Sequence, residues 1–572
     1  MAVVVWVPSA VCNNISKESI MQRVFKKFFK SQAVVSTILI LLFAFVACGG
    51  GGSSSSGGGV GGNDVTSSLH VSNTEDFLNA IGDGVIRITV DVNITINENI
   101  TIPTGTTIVL PDGVTVIMGL GSEITFTDSQ ILFEDTGDLK GAVDVILETE
   151  TIEGIEYKKI YTKFGLKKFA DLVNGGSATI NGILKANVVL EKGGMYTQHF
   201  GRFGASERPM DCDYYTIDDE ATIWIPIGTY TNTFKGIFDG NGHKVSGLYT
   251  TLANANQGLF GRVESSTIQN LTVAGCVVGR YTSGGIAGYM SGGTIKNCIN
   301  EAIVFTNGGQ VAESGVENGD SQRGSVGGIV GEVVGTGNLI ELCINKSAAV
   351  ICANTSKGGR VGGIIGCVET TGITGTVQKC INTGFVDAYQ YSGGIVGHNY
   401  VNAFKIDQCV NLGLVRAHMP GRAYVGGIVS ETNGPVSNCY NRGEVNINVH
   451  TAGYNPSSIA TTIGGIVSSA RGFTATINNC YNTGTLTCHG YTTLITSDYG
   501  GIRGYTSAGI GDSVSLVTNS YTTYEPAGGG TSITEENLKS LTITSPGLGD
   551  LFIKDEGGIN GGFPVLKWQV GQ

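Results

Sequence analysis

Residues 362–382 read GGIIGCVETTGITGTVQKCIN, opening on Gly362-Gly363-Ile364 and closing on Cys380-Ile381-Asn382. Both ends of that stretch recur. A Gly-Gly-Ile cassette begins at Gly284, Gly327, Gly362, Gly393, Gly426, Gly464 and Gly500, and six of the seven are followed, 12 to 17 residues after the second Gly, by a Cys-x-Asn triplet. The triplets join Cys298 to Asn300, Cys343 to Asn345, Cys380 to Asn382, Cys409 to Asn411, Cys439 to Asn441 and Cys480 to Asn482. A seventh persists as Asn519-Ser520-Tyr521, with Ser where the thiol was. Successive triplets lie between 29 residues (Cys380 to Cys409) and 45 residues (Cys298 to Cys343) apart, so loops of varying length hang from a constant scaffold. A fixed theme recurring every ~20–50 residues marks a solenoid, propeller or array.

The cassettes are short apolar runs bounded by turn formers, which is strand punctuation. Gly supplies 88 of the 572 residues, as a coil that turns a corner every few residues requires. Cys-x-Asn reads as a strand followed by a corner, with Asn expected in the left-handed conformation and bonded to its own main chain. A propeller would want about four antiparallel strands per repeat and a Trp-Asp signature; the 29-residue spacing and the lack of any Trp-Asp pair argue against it. The expected fold is therefore all-β: a right-handed parallel β-helix, or solenoid, with short capping helices.

Flanking segments extend that organisation. Ala33–Ala47 is an apolar run preceded by Arg23, Lys26, Lys27 and Lys30 and followed by Cys48, the pattern of a signal peptide (1–47, with Met21 the expected start). Phe45-Val46-Ala47-Cys48 resembles the lipobox of bacterial lipoproteins, with Phe45 where Leu is usual, and this resemblance implies lipidation of Cys48. Ordinary secretion with Cys48 a bystander is the alternative. Residues 48–63 then form a Gly/Ser tether, which builds no core. Residues 64–150 are expected to form a first β-helical segment, opened by a helix over Val71–Ala80 with Asn73 or Thr74 as N-cap. Gly141–Ile160 reads as an extended connection, and Gly165–Asn174 as a second capping helix opening the repeat coil of 151–525, with 526–572 closing the chain.

Further motifs carry a family resemblance. Trp224-Ile225-Pro226-Ile227-Gly228, then Phe234 to His243 (FKGIFDGNGH), then Gly258-Leu259-Phe260-Gly261 with Ile268 to Leu271, and finally Gly561 to Gln569 (GGFPVLKWQ) resemble, together with the cassettes, the GLUG-motif repeats of bacterial surface proteins. Such repeats also occur as non-catalytic regions of some IgA-specific metallopeptidases. The resemblance covers about 155–572 and implies a fold and placement at a bacterial cell envelope, as an outer-membrane or cell-surface lipoprotein; it brings no catalytic residues with it.

The chemistry is sparser. Without residues 1–47 the chain holds 30 Lys+Arg and 46 Asp+Glu, a formal charge of −16 (30 minus 46), which disfavours nucleic acid and anionic lipid heads as partners. Membrane attachment would have to come from the lipid. In a stacked coil the repeat cysteines lie about 4.8 Å apart if each repeat makes one turn and about 9.6 Å if it makes two; a disulfide is strained in the first case and excluded in the second. A ladder of reduced, inward thiols is the expectation, with disulfides or metal ligation as alternatives. Neither a metal nor a cofactor is expected, since no C-x-x-C, H-E-x-x-H or P-loop occurs; G-x-S-x-G is absent too. Asp211, Asp213, Asp218, Asp219 and Glu220, near Arg208, form the acidic clusters a polysaccharide lyase or hydrolase would need, although loop carboxylates are usually solvated. Tyr389, Tyr391, Tyr400, Tyr424, Tyr440 and Tyr481 could serve as sugar platforms or stack on neighbouring rungs. The insertions Phe305–Arg323 and Val445–Thr462 are the longest between a triplet and the next cassette. These features lead to a non-catalytic, adhesin-like scaffold that binds a glycan or protein, with a carbohydrate-active enzyme or an envelope structural element as alternatives.

Overall fold

The computed structural model describes residues 68–570 apart from 135–136, 191–222, 252–254, 307–323, 349, 353–358, 370–371, 419–421, 449–460, 471–474, 490–498, 505–516, 526–528 and 542–546. Cys48 and the tether, the Asp211–Glu220 clusters and the greater part of both long insertions fall outside the described residues.

Each repeat makes one turn of a parallel coil. Ile299 pairs with Ile344, Ile344 with Ile381, Ile381 with Val410, Val410 with Tyr440, Tyr440 with Tyr481 and Tyr481 with Tyr521, all in parallel register. The two-turn alternative is excluded, and equivalent residues stack at the interstrand spacing of about 4.8 Å. Three sheets run along the coil. A cassette sheet of eight strands leads from Asn256–Gln257 to Tyr499–Gly500 and carries the cassette glycines Gly284, Gly327, Gly362, Gly393, Gly426, Gly464 and Gly500. A long sheet follows each Gly-Gly-Ile bend, with strands such as Ala287–Lys296 and Val330–Glu341. A ladder sheet carries the Cys-x-Asn triplets. Buried Ile, Val, Leu and Phe from all three sheets fill one continuous core from Ile160 to Ile502.

The variation in repeat length has one main address. The ladder-sheet strand of the longest repeat ends at Thr306 and its next cassette strand starts at Ser325; in the shortest these are Ala388 and Tyr391. The corner therefore takes 18 residues (307–324) in one and two (389–390) in the other, which accounts for the whole 16-residue difference between spacings of 45 and 29. The expected insertion Phe305–Arg323 loses its first two residues to the strand Ile303–Thr306, and Val445–Thr462 loses Val445–Asn448 and Thr462 to strands. Hydrophobic alternation carries those strands into the corner further than the turn residues suggested.

The first segment is a separate small coil with its own core, from Val71 to Val145. Helix α1 (Thr74–Gly82) starts on Asn73, whose side chain accepts from the Asp76 N–H, and buries Phe77 and Ala80. Gly141–Ile160 is a correction: Ala142–Ile146 is a strand paired with Glu123–Thr127, and Thr149–Ile152 and Ile155–Ile160 form a hairpin that opens the long sheet. Its tip, Glu153-Gly154, has positive φ at both residues, and a two-residue turn of that kind was masked in the sequence by Glu153. Helix α2 (Lys163–Asn174), capped by Thr162, packs against both cores. Leu166, Phe169, Ala170 and Val173 enter the repeat coil, while Phe164 sits edge-on to Phe126 of the first segment. Asp128 accepts from the N–H groups of Tyr161 and Thr162 and from the Thr162 hydroxyl, which fixes the start of α2 to the first segment. Among the described residues no helix is long and apolar enough to cross a membrane.

Candidate functional site

Four columns of side chains run along the coil, two inside it and two on the outward faces of its sheets. Inside, Cys298, Cys343, Cys380, Cys409, Cys439 and Cys480 are fully buried at one register, and all are free thiols. The residue before each, Asn297, Leu342, Lys379, Gln408, Asn438 or Asn479, has φ between 52° and 55°, so the left-handed corner precedes the triplet. This corrects the expectation that the triplet Asn takes the left-handed conformation. Each thiol then points inward and donates to the carbonyl two residues before it, at 3.0 to 3.3 Å. Burial raises the thiols of Cys298, Cys380 and Cys439 well above their usual range.

The triplet asparagines, Asn300, Asn345, Asn382, Asn411, Asn441 and Asn482, are fully buried in the ladder sheet. Each of the first five donates from Nδ2 to Oδ1 of the next, at 2.9, 2.8, 2.8, 2.7 and 2.8 Å. Each Oδ1 also accepts from the N–H two residues on, for example Gly384 at 3.2 Å and Gly413 at 3.3 Å. The result is a hydrogen-bonded polar ladder in an apolar core, without charge. It links the two halves of the sequence signature: a Cβ on Gly285, Gly328, Gly363, Gly394, Gly427 or Gly465 would collide with the amide of Asn300, Asn345, Asn382, Asn411, Asn441 or Asn482. The second cassette Gly is Gly because the triplet Asn and the carbonyl of the next rung's second cassette Gly both lie against it. Gly501 faces Thr522 instead, where the ladder ends.

Outside the core, the Gly-Gly-Ile bend brings the outer faces of the cassette and long sheets together. Ser325, Arg360, Tyr391, Tyr424 and Thr462 stack in one column, and Glu332, Cys367, His398, Glu431 and Ser469 in the other. Their chain neighbours Val361, Val425, Val333 and Val368 lie in the core, so strand alternation turns these residues away from it. They are buried nonetheless. Arg360 is fully buried and forms a two-pronged pair with Glu369 at 2.6 and 2.7 Å. His398 Nε2 lies 3.3 Å from Glu431 Oε1; the imidazole stacks on Tyr391 at 4.8 Å and meets Tyr400 edge-on. Tyr391 in turn stacks on Tyr424 at 5.0 Å. Burial first, and then the charge of Glu369, pushes the Glu332 carboxyl up to about 7.

Cys367, His398 and Glu431 follow one another on successive rungs, the residue types of a thiol nucleophile, its base and an orienting acid. A working nucleophile is accessible and deprotonated. Cys367 is fully buried, and burial raises its thiol well above the usual range. Among the described residues no three His, Cys, Asp or Glu side chains are placed to hold a metal.

Of the tyrosines weighed as sugar platforms, Tyr391, Tyr424, Tyr440 and Tyr481 are buried and stacked in pairs on adjacent rungs. Tyr389 meets His418 edge-on, beside Asp387. Burial would raise the Asp387 carboxyl, but its bonds to His418 and Arg416 outweigh that and hold it low. Tyr440 and Tyr481 are covered by the chain's end. Phe552 packs on both rings, Tyr481 Oη donates to the Pro564 carbonyl at 2.6 Å, and Arg442 donates to Asn560 at 2.6 Å. A sequence signal for this strap was available: the middle triplet residue is Ile or Val through Val410 and Tyr at Tyr440, Tyr481 and Tyr521, where the strap lies.

No family model matches the chain. The chain is 36% identical over 115 residues to halomucin of Haloquadratum walsbyi, a match covering 20% of this chain and 1% of halomucin's length. It also aligns with a solved structure described as a "putative immunoglobulin A1 protease" from Bacteroides ovatus, at 15% identity and a TM-score of 0.38, covering 72% of this chain and 93% of that one. A likeness at that score carries no argument, and the fold rests on the register of the strands themselves.

Proposed function

We propose that the protein is a GLUG-type repeat lipoprotein of a bacterial surface, held to the membrane by a lipid on Cys48, whose coil presents loops that bind a surface glycan or a protein without catalysis. The observation that carries this reading is the concentration of length variation at one corner, two residues in the shortest repeat and 18 in the longest. A uniform ladder core with one hypervariable corner separates rigidity from recognition, and loops on a rigid scaffold are where binding residues concentrate. Both long connections, 307–324 and 449–461, follow a ladder-sheet strand and precede a cassette strand, as the two-residue connection 389–390 does. The acidic charge supports a partner other than nucleic acid.

The test is adhesion. Cells expressing chains that lack 308–322 or 450–459 should show normal amounts of folded protein and weaker attachment to glycan- or matrix-coated surfaces. Unchanged attachment in both would favour an envelope structural element. Turnover of a polysaccharide, lost on Asp211→Asn, would favour a carbohydrate-active enzyme. Anchoring is read separately: labelled palmitate should mark the wild type and not Cys48→Ser.

A further inference from the structure

We propose that Arg262, flanked by Tyr230 and Tyr289, binds the carboxylate of an acidic sugar, a uronate or sialate residue carried singly on a glycan. The site is built from other residues than the long corner connections. It rests on the reading of the coil as a binding scaffold and narrows the ligand.

Arg262 lies on the strand Phe260–Gln269 and faces outward, since its neighbour Val263 is part of the core. In register on the next rung is Tyr289, whose ring centre lies 3.9 Å from the guanidinium carbon. On the previous rung the chain from Gly228 to Phe234 loops past the same residue. The Arg262 N–H donates to the Gly228 carbonyl, and its carbonyl accepts from the Phe234 N–H, both at 3.0 Å. Gly228 has φ of 82°, and a Cβ there would stand 2.3 Å from the Arg262 carbonyl oxygen, so only glycine lets the loop start so close. Tyr230, inside that loop, sets its ring centre 4.8 Å from the guanidinium carbon. The loop is braced. The Thr229 N–H donates to the Asn232 carbonyl at 3.0 Å. Asn174, the last residue of α2, accepts from the Gly228 N–H at 2.9 Å and from the Asn232 side chain at 2.6 Å. The aromatic frame is thus set before a ligand arrives, which lowers the ordering cost of binding.

What the guanidinium lacks is an anion. Arg360 and Arg416 each hold a carboxylate, Glu369 and Asp387, at 2.6 Å. Arg262 has no ion-pair partner among the described residues, and its buried Nε has no hydrogen-bond partner among them. Glu264, two residues on, is taken by Lys235 at 3.1 Å, and Glu332 stands two rungs away, beyond Tyr289. Burial, and then the charge of Glu369, pushes the Glu332 carboxyl up to about 7, so it offers only part of a counter-charge. Tyr230 is 76% exposed, which leaves ring surface for the apolar face of a sugar beside a fork of N–H donors for its carboxylate. The formal charge of −12 on the whole chain disfavours extended polyanions, so the ligand that fits carries its carboxylate singly.

Calorimetric titration of the full chain with sialyllactose and with a glucuronate-tipped disaccharide, each beside its methyl ester, tests this. One of the two acids should bind, its ester about tenfold more weakly, and Arg262→Gln should bring the acid down to the level of the ester. The loop's bonds to position 262 are backbone ones, so this variant keeps the frame. Tyr230→Ala should weaken acid and ester alike, because the ring meets the sugar and not the carboxylate. Binding of neither acid, an ester as tight as its acid, unchanged binding by Arg262→Gln, or an aspartate peptide binding as tightly as the sugar would overturn the proposal. If Arg262→Gln does not fold, the difference between acid and ester on the wild type decides. Adhesion that depends on the long connections while neither acid binds would leave the scaffold reading standing and remove this one.

Discussion

The inner ladder and the outer seam share the same rungs, a few residues apart, and are built on opposite principles. Inside, one residue type recurs from Asn300 to Asn482, each amide bonded to its neighbouring copies along the ladder. Outside, no type stands on two successive rungs of the long-sheet column, where Glu332, Cys367, His398 and Glu431 follow one another. A neutral amide satisfies itself by repetition, because it carries donor and acceptor together. A charged group needs a different partner, so a charged column must alternate. The ladder can thus be extended rung by rung, whereas each seam position is specific to its own rung.

That contrast can be attacked where it should fail most. Cys409→Asp puts a carboxylate into a column with no cation, and should cost several kcal/mol, enough to unfold the neighbouring rungs in a thermal melt. Cys409→Ser should be far milder, because Ser520 already holds the thiol's position and donates to the Thr518 carbonyl at 2.9 Å. A tolerated Cys409→Asp would mean that the interior is wetter than the ladder requires.

Asn411→Leu should come next. It removes the acceptor for Asn382 and the donor to Asn441, and at about 1–3 kcal/mol for each orphaned partner should cost about 3–5 kcal/mol in urea unfolding. At the ladder's end, Asn482→Thr should cost only about 1 kcal/mol, since a Thr hydroxyl already accepts from an Asn in the Asn399–Thr432 pair. Equal losses at the two sites would show that the asparagines act singly.

The smallest effect belongs to the corners. Leu342 has φ of 55° where three of its five counterparts are Asn, and Leu342→Asn should stabilise by about 0.5–1 kcal/mol, read as a raised melting temperature. No change there would place the corner's conformational cost elsewhere.

The pairing of Gly-Gly-Ile with Cys-x-Asn was legible because both motifs repeat, and repetition alone implied a coil. That Gly394 and Asn411 touch was not, since contact across a coil leaves no local pattern. The left-handed residue was misplaced by three residues for the opposite reason: Asn411 has the preference for that conformation, but Gln408 occupies it, because burial of the Asn amide outweighs local propensity. The seam was invisible. Tyr391 and His398 are seven residues apart, His398 and Glu431 thirty-three, and no spacing rule links them.

The central claim is that a constant coil carries one freely variable corner. Replacing 307–324 by the Tyr389-Gln390 connection of the shortest repeat tests it directly. The account predicts a far-UV spectrum and a melting temperature matching the wild type, since the strands on either side already meet at the same register. Loss of cooperative melting would contradict it, by showing that the insertion is part of the core.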